Sequence, residues 1–361
     1  MRVTFLIGNG FDRNLGLDTT YSDFVKVYKH LESESDYIRN FRAYIKENEE
    51  LWSKAEEALG KYTQELEKGQ AQIFSECQAD FCGNLAQYLK KQQERIDYEA
   101  NKENIKKAFN QFRNLTGEFS SEERSTINDV YKKYETDNVI FDFINYNYTY
   151  TLDRCLEIVK ESPGILGEHN YYMTKYKHIV GEVCHVHGTV ERQMVFGVND
   201  ESQIGKTAVF EGEDGDLSKS LLIKKNANDT YGENTDVKAL QILKGSKIIY
   251  VYGMALGITD KLWWSRICKK LVDDEGCHLI LHQYEMPSPS VIPFERLRFE
   301  KRIKRNFVKL GQLSEEKWDS VEKRIHVTSQ NIFAPIQNIA LPFSSEIDDL
   351  ALQEKDFVTV S

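Results

Sequence analysis

The stretch "LIGNGFD", Leu6–Asp12, follows the apolar run Val3–Phe5 and places two glycines one residue apart at the end of a predicted strand. A dinucleotide fingerprint would require glycine at position 13, where Arg13 stands, and no Gly-Lys-Ser/Thr of a phosphate P-loop follows. Two interpretations remain open. The stretch is either a tight turn that needs glycine torsions, or a ligand loop in which glycines allow close backbone approach. In the second case Asp12 accepts hydrogen bonds from ribose hydroxyls or fixes the loop.

Strand-like and helical segments alternate along the rest of the chain. Residues 20–135 contain no proline, space their apolar residues at three and four, and begin at a capping-box-like pair, Thr20 and Asp23. Further strands are predicted at 139–144, 179–186, 194–198, 247–253, 278–284 and 324–328, and further helices at 152–159, 235–244, 259–273, 293–309 and 314–323. Residues 200–235 are predicted to form a long loop.

This alternation predicts an α/β fold, Rossmann-like, with a mainly parallel sheet and a large helical insertion. We expect a single domain over residues 1–345 that contains the insertion at 20–135, followed by a poorly ordered tail at 346–361.

Composition limits the classes of function. The chain has 361 residues and a net charge of −10, which disfavours binding nucleic acid over a broad surface. Its six cysteines lack the spacing of a zinc or redox motif and are predicted to be reduced and mostly buried. No apolar run is long enough to span a bilayer. We therefore expect a cytoplasmic protein with no membrane segment.

Polar residues follow two of the predicted strands. Asn147 comes after the strand at 139–144, where ligands collect in open parallel sheets, although a helix-capping asparagine is an equal alternative. In "HVHG", alternation places His185 and His187 on one face of a strand that Gly188 ends. A metal pair would need further ligands, and none is recognisably spaced. A structural pair remains possible, but we favour His187 as a general base.

Two other glycine-containing segments and one basic segment complete the candidates. "GMALG", Gly253–Gly257, comes at the end of a clearly apolar predicted strand, and Asp260 follows it. "FGVND", Phe196–Asp200, contains Gly197 and is a weaker candidate of the same kind. Seven cations crowd the helix predicted at 293–309, which is either a solvated face or an oligomer or RNA contact.

Several of these stretches together resemble the AbiH family of bacterial phage abortive-infection proteins. The matching pieces lie between residue 5 and about 265: "LIGNGFDRNLGLDTTYSDF", "LWSKAEEAL", "NYNYTYTLD", "HVHG", "FGVND" and "YVYGMALGITDKLWW". Their order also looks like a distant sirtuin-like domain, a type of domain that destroys NAD in several antiphage systems.

The resemblance implies an NAD-cleaving site. Asn147 and His187 would be catalytic, and the residues that contact the nucleotide would be Gly8, Asn9, Gly10, Phe11, Asp12, His185, Gly188, Gly197, Gly253 and Asp260, with no metal. The sequence departs from the sirtuin pattern in two ways. Ala255 replaces a frequent serine, and the paired-cysteine zinc module of sirtuin deacylases is missing. The missing module argues against protein deacylation.

The expected partners follow from the same resemblance: NAD or a related nucleotide as substrate, a phage-derived trigger or a neighbouring defence protein, and further copies of the chain in a homo-oligomer. Two alternatives to NAD cleavage stay open. One is a non-catalytic module that senses a nucleotide or binds a protein partner, and the other is a nucleic-acid-targeting effector that uses the basic helix.

Overall fold

The fold is organised around a seven-stranded sheet, seen in a computed structural model that describes residues 1–212, 214–232, 234–287 and 293–342. The strands are β1 (Arg2–Ile7), β2 (Val139–Asn145), β3 (Glu168–Tyr171), β4 (Thr174–His185), β5 (Ile248–Tyr252), β6 (His278–His282) and β7 (Ile325–Thr328). Their order in the sheet is β3-β4-β2-β1-β5-β6-β7. Every neighbouring pair is parallel except β3 and β4. The predicted α/β class with a mainly parallel, Rossmann-like sheet is confirmed.

The α-helices of the described residues are α1 (Gly10–Asn14), α2 (Tyr21–Tyr28), α3 (Asp36–Glu47), α4 (Ala55–Tyr62), α5 (Ala71–Gln93), α6 (Lys102–Asn110), α7 (Ser121–Lys133), α8 (Thr151–Lys160), α9 (Gly215–Leu222), α10 (Lys224–Tyr231), α11 (Thr235–Gly245), α12 (Lys261–Asp273), α13 (Phe294–Leu310) and α14 (Glu315–Glu322). Helix α2 begins at the predicted capping box, in which Thr20 and Asp23 bind each other's backbone amides. None of the helices in the described ranges is both long and apolar enough to cross a membrane.

The chain divides into two compact units. The first comprises Met1–Gly16, Tyr98–Val186 and Asn234–Ile339, and it contains all seven strands. The second comprises Leu17–Asp97, His187–Glu233 and, among the described residues of the C-terminal segment, 340–342, and its helices are α2–α5, α9 and α10. The boundaries of the second unit therefore differ from those of the predicted insertion at 20–135, because helices α6 and α7 lie in the first unit, which contains the sheet. The predicted tail at 346–361 lies outside the described residues.

Both faces of the sheet in the first unit are buried. On one face, Leu6, Ile144 and Val251 share a core cluster with residues of α11 and α12. On the other face, the ring of Phe5 stacks on Phe112 at 4.5 Å and on Tyr250 at 5.2 Å. Strands covered on both faces read as continuous apolar runs, which is why β1, β2, β5 and β6 are recognisable in the sequence.

The second unit has an aromatic core supplied by its helices. Phe81 on α5 lies at the centre, with ring centroids 5.1 Å from Phe24 and 5.2 Å from Trp52. Burying each such ring contributes about 1.5–3 kcal/mol. The apolar spacing of three and four within residues 20–97 is the sequence signature of this packing.

Two predictions in the second unit are wrong. Residues 194–198 form no strand, and only Val198 makes an isolated bridge, to Ile223. The predicted loop at 200–235 contains α9 and α10 instead. Its glycines and acids suggested a loop, but buried contacts such as the ion pair of Lys224 with Glu56 at 2.6 Å hold these helices.

The sheet also has an edge strand, β3, that was not predicted. Strand β4 begins at Thr174, five residues before the predicted start, and pairs with β3 as a hairpin. Strand β3 reads Glu-His-Asn-Tyr and is only partly buried, so it lacks the apolar signal of a core strand.

Candidate functional site

The loops that carry most of the predicted site residues lie at the carboxyl edge of the sheet. Strand β1 has β2 on one side and β5 on the other, and the chain builds the β2 side before it crosses to β5. The sheet therefore reverses its direction of winding between β1 and β5. Ligands of open α/β sheets bind outside the carboxyl ends of the strands at this switch point.

Gly8, Gly10 and Gly253 bring the loops after β1 and β5 into backbone contact. The amide of Gly8 donates to the carbonyl of Tyr252 at 2.9 Å, and the amide of Gly10 donates to the carbonyl of Gly253 at 2.8 Å. A Cβ at Gly10 would lie 2.4 Å from the Cα of Gly253, whose φ is +68°. The glycines of "LIGNGFD" are thus required by the contact between two loops.

Asp12 is buried beneath these loops, with 1% of its surface exposed. Its two carboxylate oxygens accept hydrogen bonds from the hydroxyls of Thr149, at 2.7 Å, and Thr151. Burial raises the pKa of Asp12 to about 6, although the threonine hydrogen bonds and the charge of His185 lower it. These contacts match the interpretation in which Asp12 fixes the loop, because it joins the β1 loop to the start of α8.

Asn147 and His185 extend this polar network. The Asn147 side chain is 6% exposed, and its Nδ2 donates to the carbonyl of Gly8 at 3.2 Å. The carbonyl of Asn147 lies 3.3 Å from Nδ1 of His185, whose Nε2 lies 3.0 Å from the carboxylate of Asp153. The predicted site did not include Thr149, Thr151 or Asp153. Each of these residues contacts a partner that is distant in the sequence, so a local pattern does not reveal its role.

His187, Gly188 and Gly197 belong to the second unit. Strand β4 ends at His185, and His187 lies in the following turn, so the prediction that both histidines share one strand face is wrong. The turn closes with the amide of Val195 donating to the carbonyl of His187 at 2.8 Å. Because Gly188 has a φ of +69°, it is required by this turn. The catalytic pairing of Asn147 with His187 stays a prediction.

Four of the predicted residues have surroundings outside this network. Phe11 is fully buried, and its ring meets Phe333 edge-on at 5.0 Å, so it belongs to the core. Asn9 directly precedes α1, and Asp260 directly precedes α12. Gly197 approaches the backbone of Leu222, where a Cβ would lie 2.0 Å from the carbonyl oxygen.

A cavity of about 520 Å³ opens at the switch point of the first unit. This volume falls in the range of small-molecule sites. Its walls are the loop after β1, the ends of β5 and β6, and a late segment of the chain: Gly10, Arg13, Asn14, Tyr252, Gly253, Met254, Ala255, His282, Gln283, Tyr284, Gln337 and Asn338. We call it the switch-point pocket. Of the predicted nucleotide-contacting residues, Gly10 and Gly253 line it.

The β6 wall of the switch-point pocket contains residues that were not predicted. His282 is the last residue of the buried strand β6, and Tyr284 follows it by two residues. The glycine loops were predicted from the same kind of position, the end of a buried strand. Tyr252 ends β5, and its hydroxyl donates to Asn331 at 2.8 Å. Within the described ranges, no group of three or more His, Cys, Asp or Glu side chains is arranged to hold a metal ion.

These features define a class: an α/β protein with a doubly wound, mainly parallel sheet and a ligand-sized pocket at its switch point. The chain matches the family described as "Bacteriophage abortive infection AbiH" over residues 4–280, and it belongs to this family. The family implies a role in abortive infection by phage. No curated protein and no solved structure matches the chain. The resemblance to sirtuin-like domains therefore stays a prediction.

Proposed function

We propose that this AbiH protein binds NAD in the switch-point pocket and hydrolyses it to nicotinamide and ADP-ribose during phage infection. The observation that carries the proposal is the pocket itself. Its walls are the β1 loop, the ends of β5 and β6 and residues 337–338, at the edge where open α/β sheets bind nucleotides. Arg13, among its lining residues, supplies a cation for the pyrophosphate.

The proposed reaction places modest demands on the protein. Water adds to the ribose carbon C1′, the bond from C1′ to the nicotinamide nitrogen breaks, and one proton is released. Because the nicotinamide ring is cationic in NAD, it leaves as a neutral molecule and needs no general acid. The protein must position the water and remove its proton, a contribution typically worth 10²–10⁴-fold. The resemblance to sirtuin-like domains assigns the positioning to Asn147 and the proton removal to His187, neither of which is among the residues that line the switch-point pocket.

The contacts of Asn147 support a second candidate function. Its Nδ2 is buried and already donates to the carbonyl of Gly8, so its amide must exchange this hydrogen bond before it can hold water or a ribose hydroxyl. If Asn147 keeps this bond, it stabilises the glycine loop and has no catalytic part. The protein would then sense a nucleotide and transmit the signal to a partner without cleaving NAD.

One experiment in infected cells distinguishes the two functions. Cellular NAD, nicotinamide and ADP-ribose are measured through a phage infection in cells that carry the wild type, Asn147→Ala or His187→Ala. Infection supplies whatever trigger the protein needs. Asn110→Ala and His30→Ala are matched controls, because both residues are exposed and lie outside the proposed site.

We expect NAD to fall and nicotinamide and ADP-ribose to rise with the wild type and both controls, and to stay constant with the two site variants. Protection should be lost together with NAD cleavage. If the wild type protects cells while NAD stays constant, hydrolysis is wrong and the sensing function is favoured. If folded Asn147→Ala and His187→Ala proteins still deplete NAD, the assignment of these residues is wrong.

A further inference from the structure

Helix α13 borders an open groove whose lining is both aromatic and cationic. The groove has a volume of about 630 Å³, and its lining includes two phenylalanines, Phe294 and Phe299. Phe294 is 65% exposed, which is a large exposure for an aromatic side chain. We call this surface the α13 groove. An exposed apolar surface with a charged rim is typical of an interaction site.

The α13 groove also holds four exposed cations that form no ion pair with any described residue: Arg298, Lys301, Arg302 and Arg305. Their spacing of three and four residues places them along one side of the helix. Glu295 is the one acid among the described lining residues, so positive charge is in excess. Elsewhere on α13, Arg296 pairs with Glu300 at 3.2 Å. The groove therefore suits a partner that is acidic and partly apolar.

This chain itself contains a segment of that chemistry. Residues 343–361, which lie outside the described part of the chain, include five acids and one lysine. Apolar residues such as Ile347, Leu350 and Phe357 lie between the acids, which are Glu346, Asp348, Asp349, Glu354 and Asp356. We call residues 343–361 the acidic segment. It complements the α13 groove in charge and in apolar character.

The acidic segment begins next to a fixed point and is long enough to reach a neighbouring molecule. The amide of Leu341 donates to the carbonyl of Arg95 at 2.8 Å, and Nε of Arg95 donates to the carbonyl of Leu341 at 2.8 Å. The groove cations occupy about 10 Å of helix, whereas 19 extended residues reach about 60 Å. Two copies that exchange their segments would make two identical contacts and close as a dimer.

We propose that the acidic segment of one copy binds the α13 groove of a second copy, with its carboxylates beside the arginines and its apolar residues against Phe294. The exchange is reciprocal and joins two chains. The α13 groove shares no lining residue with the switch-point pocket. The contact is therefore independent of the proposed NAD cleavage, and losing it leaves that reaction unchanged.

Sedimentation of the full chain over a range of concentrations tests the proposal, because it measures the dissociation constant of a dimer. The groove variant carries Arg302→Glu and Arg305→Glu, and the segment variant carries Asp348→Lys and Asp349→Lys. A further protein carries all four substitutions. Lys132→Glu with Lys133→Glu is the matched control, because both lysines are exposed and lie on α7. Circular dichroism shows whether each protein is folded.

We expect the wild type and the control to form a dimer that weakens as salt is raised, because exposed charges are screened. The groove variant and the segment variant should each weaken the dimer about 10- to 100-fold, since like charges then meet. The protein with all four substitutions should regain the dimer, because opposite charges meet again. An equal mixture of the two double variants should form a mixed dimer through the one intact groove and the one intact segment.

Several results would overturn the proposal. A wild type that stays monomeric at every concentration excludes the exchange between copies. A folded groove variant that dimerises like the wild type excludes the groove, and a segment variant that does so excludes the acidic segment as its occupant. If the wild type is a monomer that binds a single-stranded oligonucleotide and the groove variant does not, nucleic acid is the occupant instead. None of these results bears on NAD cleavage.

Discussion

At the scale of single residues, Gly10 and Gly253 are fixed by the space between two backbones. The Cβ of an alanine at position 10 would lie 2.4 Å from the Cα of Gly253, far inside van der Waals contact. Neither loop has a flexible side chain at this point that could move aside. The glycine pattern that suggested a nucleotide loop therefore has a structural cause that holds whether or not a ligand binds.

Gly10→Ala should destabilise the protein by about 1–3 kcal/mol, the usual cost of overpacking. Gly83→Ala is the control, because Gly83 lies within α5 and a Cβ there meets nothing within 4 Å. It should be neutral or stabilise by up to about 1 kcal/mol through helix propensity. Chemical denaturation measures both variants. Equal stabilities would mean that the β1 and β5 loops separate without cost.

Asp12 gives a second prediction at this scale. Its pKa is raised to about 6 in the folded protein, so the folded state holds a proton that the unfolded chain loses near pH 4. The stability contributed by this group is therefore greatest below pH 4 and is lost as the pH rises toward 6. Asp12→Asn removes this dependence. The free energy of unfolding of the variant, relative to the wild type, should rise by about 3 kcal/mol between pH 4 and pH 7.

Denaturation curves of both proteins across that pH range test the prediction for Asp12. Parallel curves would show that the carboxyl titrates with an ordinary pKa. Thr126→Ala, on the partly buried surface of α7, is a control that should leave the pH dependence of stability unchanged.

At the scale of elements, helix α7 is joined to strand β7 through its own N-terminal cap. Ser120 and Glu123 form a capping box, and Glu123 Oε1 also lies 3.3 Å from Nδ1 of His326. This contact, together with the bonds from Ser120, holds the pKa of Glu123 at about 2. The depressed pKa contributes stability above about pH 4.5, and the contribution is lost as the pH falls toward 2.

Glu123→Gln should cost about 2 kcal/mol of stability at pH 7, because it weakens the cap and the contact with His326 together. The difference from the wild type should shrink as the pH is lowered from 4.5 to 2. Urea denaturation at several pH values provides the measurement. A difference that stays constant down to pH 2 would show that the charge of Glu123 has no part in it.

Helix α13 carries exposed cations, including Lys301, Arg302 and Arg305, which line a surface groove of about 630 Å³. On the same helix, Arg296 binds Glu300 at 3.2 Å, so acids neutralise part of the charge. If the protein acts on NAD, Arg302→Glu with Arg305→Glu should leave both protection and NAD depletion unchanged in infected cells. Loss of protection with NAD depletion intact would favour the nucleic-acid-targeting alternative.

At the scale of the whole molecule, histidines and acids with shifted pKa values oppose each other in acid. Burial lowers the pKa of His278 and of His282 to about 4, so their contribution to stability is present above pH 6.5 and is lost as the pH falls toward 4. Asp12 acts in the opposite direction over pH 6 to 4. Asp142 and Glu300, whose pKa values are also raised, add to the effect of Asp12, whereas His178, whose pKa is lowered, adds to the effect of the two histidines. A variant compared with the wild type isolates the contribution of one histidine.

The free energy of unfolding of His282→Phe, relative to the wild type, should rise by about 3 kcal/mol between pH 7 and pH 4, because the variant lacks one lowered histidine pKa. Thermal or urea denaturation of both proteins across this range measures the change. A difference that stays constant down to pH 4 would contradict the lowered pKa of His282.

The sequence predicted the core of the sheet better than its margins. Strands β1, β2, β5 and β6 are apolar runs because helices cover both faces, and this signal is local. Strand β3 is a polar edge, and α9 and α10 lie in a stretch rich in glycine and acids, so tertiary contacts decide both against local propensity. Helix α13 was predicted at 293–309, and α5 lies within the stretch at 20–135 that was predicted to be helical from its spacing, without its own bounds.

The candidate site shows the same division. Gly8, Gly10, Asn147 and Gly253 were selected because they lie where predicted strands end, and His185 because it alternates with His187 in a predicted strand. All five lie at the carboxyl edge of the sheet. Their partners were not predictable, because a hydrogen bond such as that of Asp12 with Thr149 joins residues 137 positions apart. His282 was missed although it ends a strand, since a single histidine carries no pattern.

The sequence alone determined the class of fold, the family resemblance and the glycines at the ends of β1 and β5, because apolar periodicity and glycine torsions are local properties. Only the tertiary structure decided what those residues contact. It showed that the glycines of "LIGNGFD" meet a second loop, that Asp12 bonds two threonines, and that His282 lies in the pocket with Nε2 unused among the described residues. Burial and long-range contact set these roles, and neither is written in any short stretch of the chain.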